Sequence, residues 1–269
     1  MMKLENIVEC IEKIAPLQLG EEWDNSGIQI DVGNDSVSRI MCCLEINEAV
    51  IREAVNREID LIITHHPLIF YKQKDIDINK ITGNYIINLI KAGISVYSAH
   101  ITFDNAPLGN NYYLAKLLKL ESIKKPAFNT DNHPGLIGEL PEEITFERAV
   151  SYVEEALDLP PNYVRGGGVK GVLINRVAIC TGAGGDFLKQ ACKEGAQLLI
   201  TGDVKLHQAM EARALGMAFI DAGHYGTEKI FAENMANSRR PNSSQRNGPM
   251  QSRNSLLRSV TNSTTRLPQ

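Results

Sequence analysis

No stretch of this chain approaches the roughly 20 consecutive apolar residues that a membrane-spanning helix needs. The opening MMKLENIVECIEKIAP carries charges every few residues and has no secretory apolar run. Cysteine is sparse. Cys10, Cys42, Cys43, Cys180 and Cys192 make an odd count with no C-x-x-C spacing, which argues against both a disulfide framework and a thiolate zinc site. Free thiols in a reducing compartment, and hence a cytoplasmic protein, are the expectation. Positive charge is not in excess either. The formal net charge of −4 speaks against a generally basic nucleic-acid surface. The chain has 269 residues, 43% hydrophobic and 22% charged. That is enough for one large or two modest domains whose cores need no staple, so any metal would serve function rather than folding.

Leu4, Ile7, Val8, Ile11 and Ile14 recur at helical spacing ahead of Pro16, predicting an opening amphipathic helix. Strands are expected around Ser38–Leu44, Asp60–Thr64 and Ser95–Ala99, separated by helices at Asn47–Arg57 and Thr82–Ala92, the latter stopped by Gly93. The nearly all-apolar Asp60–Thr64 run reads as a strand buried on both faces. This alternation implies βαβ units. Pro126–Pro141, rich in Pro, Asn, Gly and Asp, reads as a linker or crossover. Beyond it come a helix at Phe146–Leu157 and strands at Val177–Cys180, Leu198–Thr201 and Ala218–Asp221. The two halves are alike in style without a residue-level repeat. From Ala236 on, the composition changes to six arginines with no Asp, Glu or Lys and no hydrophobic period, so a disordered basic tail is expected. Removing those six positive charges from −4 leaves −10 on residues 1–235.

Three places put metal-competent side chains just past a strand, where open α/β sheets build ligand sites. In ITHHPLIF, His65 and His66 follow a buried strand and Pro67 breaks its continuation. The two rings can turn toward one cleft, or serve merely as polar residues at a strand end. In VYSAHITFDNAP, His100 and Asp104 stand four apart. Carboxylate beside imidazole suits Zn, Mn, Fe, Co or Ni rather than Ca, although Asp104 could instead cap the next helix. In FIDAGHYGTEKIFAENM, His224 and Glu228 share a helical face at i and i+4, while a Glu early in a helix also suits the macrodipole. Their joint occurrence is the signal. Three histidines, one Asp and one bridging Glu can hold two divalent ions with coordination positions left open for water.

EEWDNSGIQI, ITHHPLIF, SAHITFDNAPLGNN, TGDVKLHQAMEA and IDAGHYGTEKIFAENM occur in order over about residues 1–235. Together they resemble the GTP cyclohydrolase I type 2 homologs, the NIF three-like family. The resemblance implies an α/β protein of two α/β domains with mixed sheets, here residues 1–126 and 127–235, followed by the tail 236–269. It implies a dinuclear metal site in the cleft between the domains and a toroidal homohexamer. Carried over by position, His66 and Asp104 would hold one ion, His65 and His224 the other, and Glu228 would bridge. The chain departs from the family at its end. Members continue from the ENMA helix into a helical turn and a final strand, whereas SRRPNSSQRNGPMQS begins here. A shifted reading frame or a genuine extension would each account for this, and a missing strand would leave a sheet edge open.

His100 is the candidate proton donor, or a support for the ligands. Thr201-Gly202-Asp203 could support the site, while His207 reads as a surface helix residue. Gly182, Gly184 and Gly185 in CTGAGGDF could offer N–H groups to a phosphate, but a tight strand-to-helix turn is preferred. Trp23-Asp24-Asn25 is expected as a packed Trp in a hydrogen-bonded turn. The functional expectation is a dinuclear metal-dependent hydrolase acting on a small molecule, such as a purine nucleotide opened by a cyclohydrolase reaction. A metal-binding adaptor and a metal-dependent phosphodiesterase are the alternatives.

Overall fold

A computed structural model describes residues 2–34, 36–126, 135–168 and 171–238. The chain divides into two compact units, Gly109–Ile230 and the flanking Met1–Leu108 with the chain from Phe231 on. The first contributes α1 (Leu4–Ile14), β1 (Gly27–Ile30), β2 (Ile40–Cys43), α2 (Glu48–Asn56), β3 (Leu61–Thr64), α3 (Ile81–Lys91), β4 (Ser95–Ser98) and the single turn α4 (Ile101–Asp104). The second contributes α5 (Asn110–Leu117), β5 (Glu121–Lys124), β6 (Leu136–Ile144), α6 (Phe146–Ala156), β7 (Arg165–Gly167), β8 (Ile174–Ile179), α7 (Leu188–Lys193), β9 (Leu198–Thr201), α8 (Leu206–Ala214), β10 (Ala218–Asp221) and α9 (His224–Glu228). A final helix, α10 (Phe231–Ser238), belongs with the first unit.

Each unit is built on a mixed sheet. In the first the order is β1-β4-β3-β2, with β2, β3 and β4 parallel and β1 antiparallel to β4. Alternate residues face opposite sides of a strand, and the packing follows that period. Leu61 and Ile63 pack with Leu4, Ile7 and Ile11 of α1 and with Phe231 and Met235 of α10. Ile62 faces the other way, into a cluster with Ile51 of α2 and Leu89 of α3. This is the both-faces burial predicted for the Asp60–Thr64 run. At roughly 25 cal/mol per Å² of apolar area, such a strand anchors its unit.

The second sheet runs β5-β6-β8-β9-β10-β7, with β8, β9 and β10 parallel and the outer strands antiparallel. Helices cover it on both faces: Leu114 of α5 and Val153 of α6 on one, Leu188 of α7 and Ala212 of α8 on the other. The division at Gly109 comes earlier than the expected one at 126, because α5 packs into the second core and β5 pairs with β6.

The segment read as a linker to Pro141 contains β6. Pro141 cannot donate to a ladder, and it falls where the β6–β8 register shifts between Glu139 and Ile144, the sort of irregularity that tolerates proline. Residues 127–134, and the tail expected to be disordered from residue 239 on, lie outside the described residues. Among the described residues no helix is long and apolar enough to cross a membrane.

Candidate metal centre

In the first unit, His65 and His66 leave the C-terminal end of β3. Backbone bonds fix the turn: His65 N–H reaches the carbonyls of Cys43 and Leu44 at 3.2 and 3.1 Å, and His66 N–H that of Leu44 at 2.9 Å. The His65 ring is fully buried, and its Nδ1 lies 2.9 Å from the Ala99 carbonyl. A carbonyl only accepts, so Nδ1 carries the proton and Nε2 presents a lone pair. That nitrogen sits 3.5 Å from Asp104 Oδ2. Asp104 closes α4 and is itself buried. It does not cap α5, whose N-cap is Gly109. One donor atom from each of His65, His66 and His100 lies within 4.8 Å of the others. The imidazole centroids form a triangle of 5.3, 5.2 and 5.8 Å.

His100 is oriented by Asp24, which the sequence marks only as part of a hydrogen-bonded turn. Its Nδ1–H donates to Asp24 Oδ1 at 2.7 Å, from a loop 76 positions earlier. Burial alone would raise the Asp24 carboxyl, but hydrogen bonds from His100 and Ser26 outweigh it and hold the group below its ordinary range. Trp23 is not packed inside as expected: it is 59% exposed, because the turn that buries Asp24 sends its neighbour outward.

In the second unit, Gly223 with φ 74° turns the chain from β10 into α9, a conformation that favours glycine. His224 and Glu228 then meet on one face as the spacing predicts, with Nε2 and Oε2 3.0 Å apart. His224 Nδ1–H donates to Asp203 Oδ2 at 2.8 Å, which sets Nε2 toward Glu228. A nitrogen and a carboxylate oxygen at that distance are held together by a proton or a cation between them. Glu228 is buried at the C-terminal end of its short helix, not at a dipole-favoured N-terminus.

Gly182 lies against this pair. Its φ is +68°, and a Cβ there would overlap Glu228 Oε1. The phosphate reading of the glycine loop does not survive at two of its donors, which are already engaged: Gly182 N–H with Thr227 Oγ1 at 3.0 Å and Gly184 N–H with Thr201 Oγ1 at 2.9 Å. The loop is the tight turn that was preferred. His207 is exposed on α8, as expected for a surface residue.

The donor chemistry fits a divalent ion. Bond lengths of roughly 2.0–2.2 Å put two N/O donors on one ion about 3.3–3.6 Å apart in tetrahedral geometry and about 3 Å apart at right angles. The 3.5 Å of His65–Asp104 suits the first, and the 3.0 Å of His224–Glu228 the second. The histidine of each pair donates its remote N–H to a carbonyl or carboxylate, the arrangement that fixes the tautomer and raises ligand basicity at metal sites. In both units the side chains sit past the ends of parallel strands.

The family model for Duf34/NIF3 (NGG1p interacting factor 3) matches residues 2–247. The chain belongs to this family. Among NIF3 relatives, a GTP cyclohydrolase 1 type 2 homolog of Clostridium perfringens is 34% identical over 230 residues, covering 84% of this chain and 87% of the relative. A Helicobacter pylori protein named GTP cyclohydrolase 1 type 2 is 33% identical over 233 residues, covering 86% and 89%. The crystal structure of a Bacillus cereus protein related to NIF3 superposes with a TM-score of 0.80 at 24% identity, covering 87% of this chain and 91% of that one. At that identity it speaks for the NIF3 fold alone.

Proposed function

We propose that this NIF3 protein is a dinuclear divalent-metal-dependent hydrolase of the GTP cyclohydrolase I type 2 kind. In this reading the half-sites of the two units close on one another, His66 and Asp104 holding one ion, His65 and His224 the other, and Glu228 bridging. The observation that carries it is the pair of preoriented side-chain sets, each with an imidazole nitrogen 3.5 or 3.0 Å from a buried carboxylate oxygen. Two divalent ions would supply Lewis acidity and an activated water.

The chain's own residues do the rest. Ala99 and Asp203 hold the His65 and His224 rings in the tautomer that ligates. His100, its Nδ1–H held by the Asp24 carboxylate, is the proton donor to the leaving nitrogen, because that bond aims the ring from a fixed position beside the cluster. The substrate is a small molecule, with a purine nucleotide such as GTP first to be tried. A toroidal hexamer and a cytoplasmic site complete the proposal, and the five free thiols fit a reducing compartment.

The adaptor reading draws on the family description as an interacting factor. Metal analysis with turnover assays on GTP and on linear and cyclic phosphodiesters separates the readings. A hydrolase holds about two ions per chain and loses turnover in His65→Ala while staying folded. Metal binding without turnover on any of these substrates would favour the adaptor, and turnover on the phosphodiesters alone would favour a phosphodiesterase.

A further inference from the structure

Beside the three histidines of the first unit stand rings that the proposed chemistry does not use. Trp23 and Phe70 form a second triangle with His100, with centroids 6.0, 6.2 and 6.3 Å apart. It shares the His100 vertex with the imidazole triangle. Trp23 is 59% exposed, Phe70 43% and Tyr71, which packs on Phe70 at 4.9 Å, 76%. Large aromatic surfaces left in water are costly and mark recognition sites when they gather.

These rings are exposed yet held. Asn25 donates to the Ile69 carbonyl at 2.6 Å, Ile69 N–H donates to Gln29 Oε1 at 3.1 Å, and Gln29 donates to the Asn25 carbonyl at 2.7 Å. This brace ties the loop that carries Trp23 to the loop that carries Phe70. On the buried side, the Asp24–His100 bond ties the first of these loops to the histidine cluster. A patch ordered before any partner arrives loses little side-chain entropy on binding.

We propose that Trp23 and Phe70 are the ring-binding subsite of this protein, taking a planar heteroaromatic ring by stacking and presenting it beside His100. This rests on the reading of the histidine cluster as a reaction centre, and it assigns substrate class to two residues outside the metal ligands. Two features favour a flat ring over an aliphatic ligand: the exposed surface is π surface, and the rings already meet one another at tilted and edge geometries. Stacking of one ring on such a platform is worth about 1–3 kcal/mol, or about 5- to 150-fold in affinity.

Trp23 is the single tryptophan of the chain, so the protein's tryptophan emission reports this subsite alone. The test titrates the full-length protein, metal-loaded and metal-stripped, with guanosine, uridine, nicotinamide mononucleotide and ribose, and measures bound metal in parallel. The ring-bearing probes should quench the emission saturably and ribose should not. By equilibrium dialysis, Trp23→Leu and Phe70→Leu should each weaken the best ring ligand at least about 5-fold with metal content unchanged, and Trp23→Phe should recover most of the loss. Three results would overturn the proposal: no ring probe quenches, ribose binds as well as the rings do, or Trp23→Leu changes the oligomeric state while leaving ring affinity intact, which would make the patch a contact between copies. Should metal fail to bind while ring probes still quench, the hydrolase reading fails and the subsite stands.

Discussion

The histidine clusters of the two units use the same device in opposite surroundings. In the first unit, His65 is wholly buried and anchored to a main-chain carbonyl, and the carboxylate that orients His100 is almost completely covered. In the second, the His224 side chain is 36% exposed and its orienting partner Asp203 is 57% exposed, with only Glu228 buried. The same Asp–His contact, 2.7 Å in one unit and 2.8 Å in the other, should therefore differ in worth. A buried polar group left without its partner costs its full desolvation, whereas an exposed one regains water. The first cluster is pinned by buried bonds, and the second is held by its helix turn and by what packs against Glu228.

The largest expected effect strikes that last support. Gly182→Val places a branched side chain at a φ of +68° and into Glu228, so destabilisation of about 3 kcal/mol or more is expected in thermal unfolding, together with loss of metal. Tolerance of valine there would mean that Glu228 is not fixed by this turn. Next comes the direct contrast. Asp24→Ala should cost about 2 kcal/mol and Asp203→Ala under about 1 kcal/mol, while Asp203→Ala should still weaken metal binding about 10-fold. Equal costs in denaturant titrations would erase the distinction between the two clusters.

The smallest effect concerns the strand behind His65. Burial pushes the Cys43 thiol from 9.0 up to about 12. An acid whose folded-state pKa is raised contributes stability that is complete below its unfolded value and is lost as pH climbs through the folded one. Stability should thus decline between pH 9 and about 12, and Cys43→Ala should flatten that alkaline slope.

The strands of the parallel cores were legible because burial on both faces leaves continuous apolar runs such as Leu61–Thr64. The metal-competent residues were legible because they follow those runs directly. The edge strands were not. β5 is exposed along its whole length and β7 is Arg-Gly-Gly, so neither carries a hydrophobic period, and β6 was hidden by its proline. Asp24 escaped as a partner for His100 because the two meet across 76 positions of chain, and no local spacing encodes a contact made by tertiary folding. Asp203, at a φ of 53°, reads in the sequence as a possible support for the site, but its particular bond to His224 is not legible there because it joins two separate loops.

The return of α10 to the first unit has a bearing on biosynthesis. Chain emerges from the ribosome in order, and units tend to fold as they become complete. The inserted unit, Gly109–Ile230, is whole before residue 231 is made, whereas the earlier-synthesised sheet must wait for Phe231, whose ring lies 4.9 Å from that of His65. The part of the protein translated first is thus the part finished last, and its histidines stay uncovered by their aromatic neighbour until nearly the whole described chain has been made.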